Sequence, residues 1–172
     1  MIPTQLSQAD ALALFDSLPA VVDPTEMLGD WRGHELFCGH PLEGLLSACR
    51  WWGKRFVDAE HVYPQIFARA DGSTFSTNPA RMPMSPWLSR RPEWLIRLIF
   101  RVAYPYVHSE KSSAHLAMAE YHGQPGVAMV YDKLPIIDHF RRIDANQLLA
   151  IMDMAADNSG KSLFFTLEKT AG

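Results

Sequence analysis

The densest group of residues able to do chemistry lies between positions 131 and 141. It contains Tyr131, Asp132, Asp138, His139 and Arg141. A histidine beside carboxylates can act as a general acid or base, so we predict His139, Asp138 and Asp132 as candidate catalytic residues. Tyr131 and Arg141 are candidate ligand contacts. The alternative is a network of salt bridges that fixes the register of neighbouring strands.

Residues 136–143 are typical of a strand that carries titratable groups on both faces. Successive side chains of a strand point to opposite faces, so Asp138 and His139 cannot both face the same interior. An inward His139 brings Arg141 with it, and an inward Asp138 brings Phe140. Burying a charge without a partner is costly. The pattern therefore indicates a paired network or a cavity that holds water and ligand.

A second group of candidate ligand contacts comprises His40, Trp52 and Lys54. His40 precedes Pro41 and is otherwise explained as a helix cap or a loop residue. Lys54 follows a tandem tryptophan, so its ammonium could lie at a cavity mouth and bind an anionic head group. The alternative is a cation near a helix end, where it interacts favourably with the helix dipole.

The C-terminal third carries five runs of strand length with turn residues between them. They are residues 115–122, 127–132, 136–143, 147–154 and 163–168. Short connections imply an antiparallel meander. Together with earlier strands beginning near Leu28 and Val62, these are enough to close into a barrel, which removes exposed edges.

Helical patterns precede and interrupt these strands. Residues 7–18 form an amphipathic segment with Ser7 as its N-cap, a second helix begins at Pro41 and ends by Gly53, and a third spans residues 93–104. We therefore predict an α+β fold, a mainly antiparallel barrel with an N-terminal helix, a helical cap and one extra helix. Residues 1–25 are assigned to the N-terminal helix and linker. Residues 26–172 form one barrel domain, divided into 26–80, a loop followed by an inserted helix at 81–112, and the C-terminal meander at 113–169.

Composition narrows the function classes. The 172-residue chain has a net charge of −3 and lacks the basic stripe of a nucleic-acid-binding protein. Its two cysteines lack zinc-finger spacing, so no metal site is expected. The N-terminus does not read as a signal peptide, and no apolar run is long enough to span a bilayer. A soluble, cytoplasmic protein is the expectation.

Two stretches together resemble a known family. Gly29-Asp-Trp31-Arg-Gly33, followed by the tandem tryptophan segment 51–56, resembles the G-x-W-x-G domain of uncharacterised bacterial proteins. Residues 129–141 and 151–153 resemble the domain of unknown function that is usually paired with it. The resemblance spans about residues 26–169. It implies no particular activity, and the helix at 94–104 is longer than the family pattern requires.

Fold-level analogy supplies the expected function. A G-x-W-x-G segment that opens a barrel is similar to the first strand of lipocalin-like and nitrobindin-like proteins, which enclose hydrophobic ligands or haem. The analogy implies that the predicted barrel is lipocalin-like (calycin-type). Trp31 and its glycines are then structural. In such a barrel the expected role is binding of a small hydrophobic molecule, such as a fatty or terpenoid-like acid or ketone, with Lys54, His139 or Arg141 at its polar head.

Other functions stay open at this point. A cofactor-free isomerase, dehydratase or hydrolase could use a histidine–carboxylate pair on the same kind of ligand. Haem binding would need a proximal histidine, for which His139, His115 and His122 are candidates. The arginine-bearing helix near residues 90–101 could cap the barrel, pack in a homodimer or lie on an anionic membrane surface.

Overall fold

The computed structural model of this protein describes residues 2–83 and 85–170. Within these residues the helices are α1 (Gln8–Ser17), α2 (Leu45–Ala48), α3 (Pro86–Ser89) and α4 (Glu93–Val107). The strands are β1 (Gly29–Leu36), β2 (Trp51–Phe56), β3 (Val62–Ala68), β4 (Thr74–Ser76), β5 (Ala114–Tyr121), β6 (Gln124–Tyr131), β7 (Ile136–Arg142), β8 (Gln147–Met154) and β9 (Leu163–Lys169). The predicted C-terminal meander is confirmed as β5 to β9.

The strands form one antiparallel sheet that closes on itself. Its order is β2-β1-β9-β8-β7-β6-β5-β3-β4, and β2 also pairs with β3. One edge of β3 pairs with β2, and its other edge pairs with β5 at Val62 and with β4 from Ile66 onward. Eight strands therefore form a ring, with β4 alongside β3. Strands from both halves of the chain share this ring, and the predicted α+β barrel is confirmed.

The N-terminal helix packs on the outside of the barrel. The Ser7 side chain accepts a hydrogen bond from the amide of Asp10, which satisfies one of the free amides at the start of α1. Ala11 and Phe15 are fully buried. They form a small core with residues of β1, β8 and β9, namely Leu36, Leu149, Ile151 and Phe164. The predicted helix and its cap are confirmed.

The helix predicted to run from Pro41 toward Gly53 is wrong in extent. Only Leu45–Ala48 is helical, and the chain reverses through Arg50 at a positive φ of 62°. The tandem tryptophan then begins β2, which pairs with both β1 and β3. Aromatic residues fit a pleated sheet well, and this pairing outweighs the helical spacing of the leucines. Lys54 is therefore a strand residue and does not cap a helix.

The third predicted helix is longer than its pattern indicated. The helix α4 continues through Pro105 to Val107. Its buried side chains are Ile96, Phe100 and Val107, which contact the main core at the side of β3 and β4. The preceding segment, expected to be a loop, contains the single-turn helix α3.

Two glycines hold the first two strands in close contact. A Cβ on Gly33 would lie 2.3 Å from the Trp51 ring, so this indole packs directly on the β1 backbone. A Cβ on Gly53 would lie 1.9 Å from the carbonyl oxygen of Trp31, and its φ of +147° also favours glycine. Trp31 itself is buried and its Nε1 donates to the carbonyl of Met27 at 2.6 Å. The G-x-W-x-G motif thus fixes the position of Trp51 in β2.

Candidate functional site

A buried ion pair lies in the interior of the barrel. The Nζ of Lys54 in β2 is 2.8 Å from Oδ2 of Asp138 in β7, and the two side chains are 1% and 0% exposed. Removing two charges from water carries a desolvation cost of several kcal/mol per ion, which the pair must offset by its own attraction. Of the two alternating faces of β7, the one that carries Asp138 and Phe140 therefore points into the barrel.

The surroundings of this pair are mostly aromatic. The Nζ of Lys54 donates to the carbonyl of Pro64 at 3.1 Å and approaches the Tyr131 hydroxyl at 3.5 Å. It lies 4.8 Å from the ring centre of Phe165 and 5.7 Å from that of Trp51. Cation–π attraction of this kind is stronger where water is absent. We call Lys54, Asp138, Tyr131 and Trp51 the inner cluster.

Burial sets the protonation chemistry of the inner cluster. It lowers the pKa of Lys54, and the carboxylate of Asp138 opposes that shift. Burial also raises the pKa of Asp138, against the favourable effect of the Lys54 ammonium. The pKa of Tyr131 is well above its usual range because of burial and the adjacent Asp138. Perturbed groups gathered in one interior are a feature of functional sites.

Two polar atoms of the inner cluster have no hydrogen-bond partner within the described residues. They are the acceptor Oδ1 of Asp138 and the donor Nε1 of Trp51, both buried. Buried polar atoms are usually satisfied, because leaving one unpaired costs on the order of 1–3 kcal/mol. The inner cluster can therefore accept a hydrogen bond at Asp138 and donate one at Trp51.

A cleft of about 360 Å³ opens at one end of the barrel beside these strands. Its lining is mostly apolar and comes from the segments at 40–42, 79–82, 134–136 and 154–157, together with Pro86. Among the lining residues, Nε2 of His40 and Oδ2 of Asp157 are 3.1 Å apart. His40 is buried, and its Nδ1 also accepts from the amide of Leu42. This pair ties the segment after β1 to the segment after β8.

The wall of the cleft and the inner cluster use neighbouring residue pairs of β7 and β8. Ile136 and Met154 pair across the two strands and line the cleft. Asp138 and Met152 pair next on the same face. Side chains two residues apart on one face are separated by about 7 Å along a strand. The carboxylate of Asp138 therefore follows directly inward from the apolar wall of the cleft.

His139 and Arg141 lie on the outer face of the barrel. The His139 ring stacks on Tyr121 with centres 4.5 Å apart, and the Arg141 guanidinium lies 4.7 Å from the Phe15 ring centre. Both are largely covered, Arg141 by α1. The structure therefore does not bring His139 together with Asp138, because adjacent strand residues point to opposite faces.

The remaining predicted residues are dispersed. Asp132 is exposed and pairs with Nδ1 of His115 at 2.9 Å. Trp52 points away from the interior, and the Arg32 guanidinium lies 5.6 Å from its ring centre. Tyr131 and Lys54 belong to the inner cluster, and His40 belongs to the cleft. Asp157, the partner of His40, was not among the predicted site residues. It lies in a loop 117 positions from His40, and no local sequence pattern signals a contact over that separation.

The three histidines considered for haem do not fit a haem inside the barrel. His115 and His122 are paired with Asp132 and Asp16 near the surface. His139 stacks on the outer face, as described above. A proximal ligand from these three would lie outside the ring of strands, so none of the three predicted histidines can hold a haem inside the barrel.

Comparisons with known proteins agree with the motifs. Residues 13–72 match the GXWXG protein family, and residues 112–169 match a domain of unknown function, DUF4334. The predicted tandem of these two domains is confirmed in its order along the chain. No curated protein matches the sequence.

A solved structure shares this fold. The crystal structure of a protein from Thermomonospora curvata superposes with a TM-score of 0.71 and is 29% identical in sequence. The match covers 98% of this chain and 91% of that one. Among the described residues, none of the helices has the length and apolar character needed to span a membrane.

Proposed function

We propose that this chain, a GXWXG protein that carries a C-terminal DUF4334 domain, binds a small apolar molecule in its barrel. The polar head of the molecule, an acid or a ketone, is held at Lys54 and Asp138. The proposal rests on one observation: a charged pair spans an apolar, aromatic interior, and its carboxylate keeps one oxygen, Oδ1, without a partner. The inner cluster supplies the polar contacts and the aromatic side chains supply the apolar ones.

Stability alone does not account for such a pair. Replacing a buried ion pair with well-packed apolar residues is often neutral or stabilising, so folding does not require charge at these positions. The neighbouring side chains of Phe165, Phe140 and Met129 are fully apolar and buried. A ligand head that bonds to the pair gives these two charges a role.

The available atoms define the head group. The ammonium of Lys54 already donates to Asp138 and to the Pro64 carbonyl, and its third contact, to Tyr131, is long at 3.5 Å. A carbonyl oxygen can take the place of that weak contact or accept from Trp51 Nε1. A hydroxyl can donate to Asp138 Oδ1. A carboxylic acid in its protonated form supplies both, and a ketone supplies the acceptor.

Access to the inner cluster would run through the mostly apolar cleft. The volume of about 360 Å³ lies within the range of small-molecule pockets. Its walls lead along Ile136 and Met154 toward Asp138. The chain of the ligand then occupies the cleft while its head reaches the inner cluster.

The test is ligand binding to a matched set of variants. Lauric acid and methyl laurate are titrated against the protein, with tryptophan fluorescence as the signal, and native mass spectrometry identifies anything that co-purifies. The double variant Lys54→Met/Asp138→Leu removes the charged pair without leaving a lone charge, and Lys161→Met is the surface control. We expect the double variant to lose lauric acid binding, and the wild type and Lys161→Met to keep it. Equal affinity in all three proteins contradicts the proposal.

A second candidate function is acid–base catalysis on the same ligand. The observation that favours it is the set of shifted pKa values in the inner cluster. Asp138 could take a proton from the carbon beside a ketone while the Tyr131 hydroxyl donates to the carbonyl oxygen. To test this, a long-chain methyl ketone is incubated with the protein in D₂O. Mass spectrometry then measures the exchange of the hydrogens on the carbons beside the carbonyl. Exchange in the wild type that is absent in Lys54→Met/Asp138→Leu supports catalysis. If the protein binds the ketone but does not exchange its hydrogens, the result favours binding alone and contradicts catalysis.

A further inference from the structure

The outer face of α4 is apolar although it does not contact the barrel. Trp94, Leu98, Val102 and Tyr106 are 66%, 49%, 74% and 65% exposed. They recur every four residues and therefore follow one side of the helix. The opposite side carries the buried Ile96, Phe100 and Val107. Packing against the barrel accounts for that buried side only, so the exposed stripe, which we call the α4 stripe, serves another contact.

Positive charge is concentrated around the α4 stripe. Residues 81–111 contain six Arg and Lys residues and only two Glu, a net charge of +4, whereas the whole chain has a net charge of −3. Arg97 and Arg101 are exposed on α4 beside the stripe. Just before the helix, the guanidinium of Arg91 lies 4.2 Å from the ring centre of the exposed Trp87. The stripe is thus bordered by Arg91, Arg97 and Arg101 in an otherwise acidic protein, and of these Arg97 also pairs with Glu93 on the same helix.

A groove of about 750 Å³ lies between α4 and β3, next to the stripe. Arg50, Arg69, Arg97 and Arg101 line it, and no Asp or Glu does. The Arg69 guanidinium is held in place by the Tyr104 hydroxyl at 2.7 Å and by the Phe75 ring at 4.7 Å. Guanidinium groups match the oxygen geometry of phosphate. We call this the arginine groove.

We propose that α4 docks on an anionic lipid membrane, with the α4 stripe at the acyl boundary and a lipid phosphate in the arginine groove. An amphipathic helix with aromatic residues on one side and cations beside them lies in the plane of a membrane interface in this way. Tryptophan and tyrosine favour that depth, and each cation near the surface adds to the attraction. The docked barrel would exchange its apolar ligand with the bilayer.

Charge argues against the other occupant, a second copy of the chain. A symmetric dimer places the same patch of both subunits in contact. Two segments of net charge +4 would then face each other, and like charges that meet across an interface are unfavourable. An anionic membrane offers both the apolar phase and the opposite charge.

Vesicle co-sedimentation tests the proposal with phosphatidylcholine vesicles, with and without phosphatidylglycerol. The wild type should bind the anionic vesicles and lose affinity as salt is added. Leu98→Glu/Val102→Glu should abolish binding. Its matched control, Val57→Glu/Met118→Glu, alters two side chains that are also exposed, at 55% and 57%, on other surfaces. Arg90→Gln/Arg101→Gln should weaken binding about 30-fold, since each cation contributes about 1 kcal/mol.

Three results would overturn the proposal. The first is a wild type that does not sediment with anionic vesicles. The second is a dimer, measured by light scattering, that Leu98→Glu/Val102→Glu converts to monomer. The third is binding of soluble glycerol phosphate as tight as binding to the anionic vesicles, which would assign the arginine groove to a free phosphate. Circular dichroism of each variant confirms that it is folded.

Discussion

Lys54 and Asp138 form their 2.8 Å ion pair across the full width of the barrel. In the ring of eight strands, β7 is four strands from β2 in either direction. The pair therefore joins opposite walls of the barrel, and within residues 2–83 and 85–170 each residue is the other's only charged contact. Removing one side chain leaves a charge alone in an apolar interior.

A double-mutant cycle should show strong coupling between these residues. Lys54→Met and Asp138→Leu should each lower the free energy of unfolding by about 3–5 kcal/mol, because each leaves an unpaired buried charge. The double variant should lose much less, since it removes both charges together. Urea unfolding measures the stability of all four proteins.

For comparison, Arg55→Gln breaks the exposed pair with Asp30 and should cost less than about 1 kcal/mol. Additive losses in the cycle would show that the residues do not interact.

The contact between Gly33 and Trp51 should be sensitive to a single methyl group. Gly33→Ala places a Cβ where the indole now lies, so we expect a loss of about 1–3 kcal/mol from overpacking and a change in the near-ultraviolet circular dichroism of Trp51. Trp51→Leu should reduce the cost of Gly33→Ala, because the smaller side chain leaves room. Gly126→Ala, with its nearest contact at 3.0 Å on a side chain, is the matched control and should leave the Trp51 signal unchanged. An unchanged Trp51 signal in Gly33→Ala would be inconsistent with this packing.

The free energy of unfolding should decrease as the pH is lowered below neutrality, because of His139. Burial lowers the pKa of His139 below its usual 6.5, Asp153 opposes the shift, and Arg141 adds to it. The unfolded chain therefore binds a proton at higher pH than the folded chain does. The favourable contribution is present above pH 6.5 and is lost as the pH falls through 6.5 toward the folded pKa. Urea unfolding from pH 8 to pH 5 should show this loss, and His139→Gln should remove it. An NMR titration midpoint for His139 at or above 6.5 would rule it out.

Both cysteines should be unreactive while the protein is folded. Cys38 and Cys49 are buried free thiols. Burial raises the pKa of Cys38 to about 11 and that of Cys49 to about 12, with nearby glutamates adding to each shift. The thiolate is the reactive form, so iodoacetamide at pH 8 should label neither residue until urea is added. Mass spectrometry counts the labels. Rapid labelling of the native protein would place the thiols at the surface.

The His40–Asp157 pair should control how fast a ligand enters and leaves. Asp157→Asn weakens the contact that ties two segments of the cleft together, so the association and dissociation rates of lauric acid should both rise. The dissociation constant should change little, because the inner cluster is untouched. Stopped-flow fluorescence measures the rates, with Asp144→Asn, a loop aspartate between β7 and β8, as the control. Equal rates for all proteins would place the route of entry elsewhere.

Local patterns predicted most of the elements. Ser7 and the amphipathic run after it define α1, and the runs of strand length with turn residues between them define β5 to β9. These features depend on neighbours in sequence, so they can be derived from the chain alone. Two exceptions are α3, which lies in a segment expected to be a loop, and β2. In β2 the helical spacing of the leucines suggested a helix, but pairing with β1 and β3 imposed a strand.

The sequence by itself determined that β7 would carry a charge inward and that Asp138 and His139 would point to opposite faces, because side-chain alternation is a local property of any strand. Only the tertiary structure decided which residue turned inward. The helix α1 covers Arg141 on the outer face, and Lys54 in β2 neutralises Asp138 on the inner face. Both partners are distant in sequence and become neighbours of β7 only when the barrel closes, so no spacing in the chain could reveal them.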